Sequence, residues 1–186
     1  MSATESRPMT DSPVRTMVDT GEGELAFQEY FVHRQCQPRV KGFRFDGVNA
    51  AEPVPGVREA INSAEAIVIC PSNPWVSVDP ILRVIKKINK PVIAVSPIIG
   101  GKTVKGPAAK MYLELGIEPS ALAVAEHYRN ILAGFVLDSV DSEIENNIKQ
   151  LGIRTLVTDT LMNNLTDRTR LAQDVLQDAY LSLIHI

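Results

Sequence analysis

Hydrophobic and polar positions change their rhythm along the chain. Residues 14–19 and 24–32 read as strands joined by Thr20-Gly21-Glu22-Gly23, a good hairpin turn. Leu25, Phe27 and Phe31 share one face by period two, and Glu29 interrupts the alternation. Residues 40–45 form a third short strand bounded by Pro38 and Gly47, and residues 57–63 a short helix entered through Pro53 and Pro55. Two runs then break the alternation, residues 66–70 and 91–95. They are rich in Ile and Val and apolar at successive positions, which suits strands buried on both faces of a parallel sheet. Between them, residues 80–89 carry Ile81, Leu82, Ile85 and Ile88 at helical spacing. This is a β-α-β unit.

The same rhythm continues to the end of the chain. Helices are predicted over residues 106–115, with Pro107 in the first turn and Gly116 at the end, and over 121–132, capped by Ser120. Residues 134–138 and 153–158 are strands, and 142–151 and 166–180 are helices. The expected architecture is therefore α/β. It is a Rossmann-like three-layer α/β/α arrangement around a mainly parallel sheet, preceded by an antiparallel β-hairpin region. Residues 1–13 are polar and read as a disordered start, with residues 14–180 as one domain. Residues 181–186, Leu-Ser-Leu-Ile-His-Ile, resemble the translation of a sequencing-library adapter and are set aside as a non-native tail.

Composition narrows the function classes. A chain of 186 residues with 45% hydrophobic content can bury a sizeable core. The formal charge of −3 comes without a concentrated basic surface, so a nucleic-acid partner is not expected. No apolar run is long enough to span a membrane, and the N-terminus lacks the apolar segment of a signal peptide. Cys36 and Cys70 form no CxxC pair, so the reading is two reduced thiols in a cytoplasmic protein.

In open α/β sheets ligands bind outside the carboxyl ends of the strands. Here those ends are Pro71-Ser72-Asn73-Pro74 and Ser96-Pro97-Ile98-Ile99-Gly100-Gly101, expected side by side on one rim. Gly100-Gly101-Lys102-Thr103 invites a P-loop reading, but that motif needs Gly where Ser96 stands, and Gly106-Pro107 interrupts the helix that should follow. What remains is a weaker expectation. Gly100 and Gly101 let backbone N–H groups approach an anion, while Lys102 or Lys105 supplies charge. The alternative is a plain glycine loop with solvated lysines. Asn73 can donate and accept at one place, or Ser72-Asn73-Pro74 is simply a turn. Asp79 reads as a helix N-cap, and Asp159 ends a strand at the rim. His33 with Arg34, Arg39 and Lys41 reads as a solvated strand edge that could also face phosphate.

Three segments carry a resemblance: FQEYFVHRQCQPRVKGFRFDG, CPSNPWVSVDPIL and VSPIIGGKTVKGPAAKM. Together they resemble the 2-phospho-L-lactate transferase family, over about residues 9–180. Members of that family are longer and begin with a Gly-rich phosphate loop, so the chain reads as a C-terminal part and its domain as incomplete. The resemblance implies transfer of a phospholactyl, or phosphoenolpyruvyl-type, group from a diphosphoguanosine donor to the deazaflavin alcohol Fo, with release of GMP. It implies Mg²⁺ held by residues outside this chain, so no metal ligand is assigned here. Ser72, Asn73, Pro74, Ser96, Gly100, Gly101, Lys102 and Lys105 become the expected substrate-binding residues, and no catalytic residue is assigned. The lactyl- or enolpyruvyl-diphosphoguanosine donor and Fo are the expected partners, and a homodimer the expected assembly. The rival reading is a non-catalytic α/β domain that binds a nucleotide or a protein.

Overall fold

A computed structural model describes residues 6–184. The outermost parts of the expected disordered start and of the set-aside tail, residues 1–5 and 185–186, lie outside the described residues. The chain divides into two compact units. One comprises Met1–Ala64 and Trp75–Asn89, the other Glu65–Pro74 and Lys90–Ile186.

The first unit is built on a three-stranded antiparallel sheet. Its strands are β1 (Arg15–Thr20), β2 (Gly23–Ala26) and β3 (Val40–Asp46), in the order β2-β1-β3. The predicted hairpin is present, with Val18 opposite Leu25 and Thr20 opposite Gly23. Thr20 locks the turn: its hydroxyl donates to the Gly23 carbonyl (2.6 Å) and accepts the Glu22 N–H (3.1 Å). The second strand is much shorter than residues 24–32. It stops at Ala26, and Glu29–His33 form a wide π turn. Phe27, Tyr30 and Phe31 sit at helical spacing. Phe27 stacks on Phe31 at 5.5 Å, and Tyr30 is fully buried. Burying Tyr30 requires the chain to curl, and the curl continues through Gln35 and Cys36 at φ +48° and +57°. The Tyr30 hydroxyl donates to the Cys36 carbonyl (3.3 Å), and the Cys36 N–H to the Tyr30 carbonyl (2.9 Å). His33 therefore ends a helical turn rather than a strand.

Helix α1 (Val57–Ser63) matches its predicted bounds. A π turn at Pro74–Val78 runs directly into α2 (Asp79–Ile85), so Asp79 lies inside the helix and Val78 takes the cap position. The helix stops at Ile85, four residues before the predicted end, where Lys86 turns to φ +67°. Its buried residues are Val84 and Ile85, whereas Ile81 is exposed. Val84 packs with Phe45, Val48 and Ala51.

The second unit holds the parallel sheet. Strands β4 (Ile67–Ile69), β5 (Val92–Val95), β8 (Leu132–Asp138) and β9 (Arg154–Thr158) lie in the order β4-β5-β8-β9, every pairing parallel. A small hairpin, β6 (Ile98–Ile99) and β7 (Lys102–Thr103), is inserted after β5. Strand β5 is buried at all four positions, as its unbroken apolar run requires. Ile93, Val95 and Val136 meet Leu171, Val175 and Ala179 of α6 (Leu165–Ile184), while the alternate residues Val92, Ala94, Phe135 and Leu137 are also buried. Strand β4 departs from expectation. It forms a sheet edge, its residues are only partly covered, and Val68 is 37% exposed.

The remaining helices are α3 (Ala108–Glu114), α4 (Ala121–Tyr128) and α5 (Glu145–Gln150). Ser120 caps α4 as its position predicts, its hydroxyl accepting the Ala123 N–H at 3.1 Å. Helix α4 ends at Tyr128, so that Leu132, placed by sequence in the helix, begins β8. Helix α6 begins one residue before the predicted 166 and continues past residue 180. Among the described residues, no helix is long and apolar enough to cross a membrane.

The contrast between β5 and β4 is measurable. Ile93→Ala leaves a cavity in a fully buried strand and should cost about 2–5 kcal/mol. Val68→Ala on the edge should cost about 0.5 kcal/mol or less. Urea unfolding of the two variants reads the difference, and equal losses would contradict the placement of β4 at an edge.

Candidate functional site

Because β4 and β5 are adjacent and parallel, with Ile69 beside Ala94, their carboxyl ends open on one side of the sheet. Strands β8 and β9 end on the same side. Four loops therefore gather at one rim of the second unit: Cys70–Pro74, Ser96–Gly101, Asp138–Asp141 and Asp159–Leu161.

After β4, Ser72 and Asn73 are half-buried and Pro74 is buried. The Asn73 amide donates to the Met111 sulfur of α3 at 3.2 Å. Helix α3 also packs against β7. The Asn73 loop and the glycine turn are thus both anchored on the same helix.

After β5, Ser96 is 2% exposed and its hydroxyl serves its own turn. It donates to the Ile98 carbonyl (2.8 Å) and accepts the Ile98 N–H (3.2 Å). The glycine segment is a two-residue hairpin turn: Ile99 pairs with Lys102, while Gly100 and Gly101 take φ +55° and +74°. Two successive positive φ values are what such a turn demands, so the glycines are needed for backbone geometry before any ligand is considered. The Gly100 N–H donates to both carboxylate oxygens of Asp141, at 3.0 and 3.2 Å. Gly101 is half-buried, and its N–H makes no hydrogen bond among the described residues. Lys102 and Lys105 are exposed.

Two residues that sequence reasoning passed over tie this rim together. Asp138, the last residue of β8, is 4% exposed. Its Oδ1 accepts the Val140 N–H (3.0 Å), and its Oδ2 accepts the Thr160 N–H (2.8 Å) and hydroxyl (2.9 Å). Burial pushes this carboxyl up. The hydrogen bonds from Val140, Thr160 and Ser139 more than offset that and hold it below the usual carboxylate range. Asp141 stands in the next turn, Ser139–Ile144, and burial pushes its carboxyl above the usual range. The Gly100 N–H opposes this rise, and the negative charges of Asp138 and Glu143 add to it. A signal for Asp138 was available: it closes an apolar run, as Asp159 does. Asp159 itself is exposed and pairs with Arg170 at 3.3 Å.

In the first unit, the basic cluster is largely paired with nearby acids. Arg34 meets Glu22 at 3.2 Å and Glu29 at 3.7 Å, and His33 meets Glu29 at 2.6 Å. A polar cleft of about 210 Å³ lies here, lined by Glu22, His33, Arg34, Gln35, Gln37 and Pro38. Its charges roughly balance, which gives an anion little preference. Both cysteines are free thiols. Among the described residues, no group of three or more His, Cys, Asp or Glu side chains could hold a metal ion, and the Asp138 and Asp141 oxygens already accept N–H groups.

A parallel α/β sheet whose connecting loops gather at its carboxyl rim is a Rossmann-like arrangement. Residues 4–175 match the family described as "2-phospho-L-lactate transferase CofD", and the chain belongs to that family. It is 40% identical over 176 residues to a 2-phospho-L-lactate transferase of Methanosarcina mazei, covering 91% of this chain and 57% of that protein. It is 39% identical over 175 residues to one of Methanopyrus kandleri, covering 91% and 56%. It is also 36% identical over 181 residues to a phosphoenolpyruvate transferase of Streptomyces griseus, covering 91% and 57%. The chain thus spans a little over half the length of these curated relatives.

Asp138 and Asp141 should answer pH in opposite senses. A carboxyl held low in the folded state contributes stability that is present above the unfolded value and lost as pH falls through the folded one. A carboxyl held high contributes stability that is present below the unfolded value and lost as pH rises through the folded one. Asp138→Asn should therefore cost about 1–3 kcal/mol at neutral pH. The difference from wild type should shrink as pH falls through the folded-state value of Asp138, below the usual carboxylate range. Urea unfolding across an acid-to-neutral series checks this; a difference independent of pH would refute the assignment.

Proposed function

We propose that the protein containing this chain is a transferase that moves a phospholactyl or enolpyruvyl-phosphate group from a diphosphoguanosine donor to the terminal hydroxyl of the deazaflavin alcohol Fo. The acceptor oxygen bonds to the donor's distal phosphorus, the phosphoanhydride bond to GMP breaks, GMP leaves, and the hydroxyl proton passes to solvent or a base. The observation that carries this reading is the family match over residues 4–175, with relatives named for transfer of phospholactate and of phosphoenolpyruvate. The rim geometry supports it. Catalysis of such a transfer is mostly positioning and charge stabilisation.

In this reading the Gly101 N–H, Lys102 and Lys105 face the diphosphate. Ser72 and Asn73 hold a phosphate oxygen or the guanine edge, Pro74 restricts their loop, and Ser96 shapes the turn that leads to the glycines. Mg²⁺ bound with the donor would neutralise charge on the diphosphate; none of the described residues is assigned as its ligand. The enzyme works in the cytoplasm, where both thiols stay reduced, and assembles as a homodimer. A domain that merely binds nucleotide would retain GDP affinity and show no transfer.

Asn73→Ala in the full-length enzyme separates a ligand role from a turn role. Loss of a ligand contact of about 1–3 kcal/mol means roughly a tenfold to hundredfold fall in kcat/KM for the donor. Tm should change little, since a half-buried amide at the rim supports little of the core. GMP release with lactyl- or enolpyruvyl-diphosphoguanosine and Fo is the assay. A destabilised variant with unchanged kinetics would remove Asn73 from the site.

A further inference from the structure

Asp141 presents a problem that the fold alone does not solve. It is a buried carboxylate, and among the described residues its hydrogen bonds come from one group, the Gly100 N–H. Among the described residues no cationic side chain neutralises it, and Asp138 and Glu143 lie near enough to disfavour its charge. A buried charge so thinly compensated is expensive. If the turn needed only an acceptor for one N–H, a neutral side chain would supply it at lower cost.

The geometry of the turn indicates what is gained. Gly100 and Gly101 both occupy left-handed backbone, in a hairpin whose strands are two residues each. Such a hairpin is marginal by itself. Both Asp141 oxygens grip its first amide with a charge-assisted bond, stronger than a neutral one. The second amide, of Gly101, is left half-buried and without a hydrogen bond among the described residues. Lys102 follows immediately. Asp141 is itself fixed, because three residues earlier in the same loop Asp138 is bonded to Thr160 and Val140. The loop after β8 therefore sets the position of the loop after β5.

We propose that Asp141 is a positioning residue for the donor: by holding the Gly100 N–H it fixes the glycine turn so that the Gly101 N–H and Lys102 are presented to a diphosphate. The inference rests on the transferase reading above and adds to it the residue that organises the turn. Its sign is informative. A carboxylate close to a bound diphosphate repels it, so Asp141 assists through placement and not through charge. The isosteric amide keeps one acceptor for the Gly100 N–H and loses the second oxygen and the charge, so it should hold the turn better than alanine and less firmly than the carboxylate.

The test compares wild type, Asp141→Ala and Asp141→Asn in the full-length enzyme. Two quantities are measured: the dissociation constant for GDP by calorimetry, and the exchange rate of the Gly100 amide by NMR. Asp141→Ala should weaken GDP binding about tenfold and speed Gly100 exchange at least tenfold, with the amides of β5 and β8 unchanged. Asp141→Asn, which keeps one acceptor for the Gly100 N–H, should fall between the alanine variant and wild type in both GDP binding and Gly100 exchange. If the alanine variant does not fold, Asp141→Glu, which keeps the charge and displaces the oxygens by one methylene, should show the same loss. Unaltered GDP affinity in the alanine variant overturns the proposal, as does an asparagine variant that folds normally yet binds as weakly as alanine. If wild type binds no GDP, the transferase reading fails instead. Gly100 exchange then decides whether Asp141 holds the turn, and unchanged exchange overturns that as well.

Discussion

Two parallel strands that are apolar on both faces must end, and where they end their backbone groups need partners that no further strand provides. Strands β5 and β8 meet this constraint differently, and the rim follows from how they do. Strand β5 ends on Ser96, whose hydroxyl closes a turn on Ile98 and starts a small hairpin. Strand β8 ends on Asp138, whose carboxylate gathers amides from its own loop and from the loop after β9. Asp141 then carries the connection back to the hairpin. Three loops distant in sequence become one surface because buried polar groups must be satisfied, and the few that are buried here reach across to one another.

Much of this was legible from the order of apolar residues. The unbroken runs at residues 66–70 and 91–95 gave adjacent parallel strands, and Ser120 and Gly116 marked helix ends where the backbone turns as they allow. The misreadings share a cause. Residues 24–32 look like a strand when Leu25, Phe27 and Phe31 are counted by twos. Counted by threes and fours, Phe27, Tyr30 and Phe31 make a helical face, and the need to bury Tyr30 decides the matter. The run at residues 66–70 is apolar enough for an interior strand, yet periodicity says nothing about which strand lies at an edge. That is settled by strand order.

The candidate site was legible in part, for a similar reason. Sequence located the loops but not their internal bonding. Gly100-Gly101 was read as an opening for an anion, whereas its immediate physical role is to supply two positive φ values in a hairpin whose first amide is already engaged. Ser96 was read as a ligand contact, and its hydroxyl is bonded within its own turn. Asp141 sits in a stretch where acids look like ordinary solvated residues, and only burial distinguishes it, whereas Asp138 closes an apolar run and could have been picked out by that position.

The strand order also bears on how the second unit assembles. Pairing β8 with β9 closes the shortest chain loop in the sheet, through α5, whereas pairing β5 with β8 must first close the much longer segment that contains the hairpin, α3 and α4. Loop-closure entropy favours the shorter event. The Asp138–Thr160 contact belongs to the early, local half of the sheet, and the Asp141–Gly100 contact to the late junction between halves. Loop-closure entropy alone would thus order the loop after β8 first, leaving it as the surface against which the glycine hairpin is finally shaped.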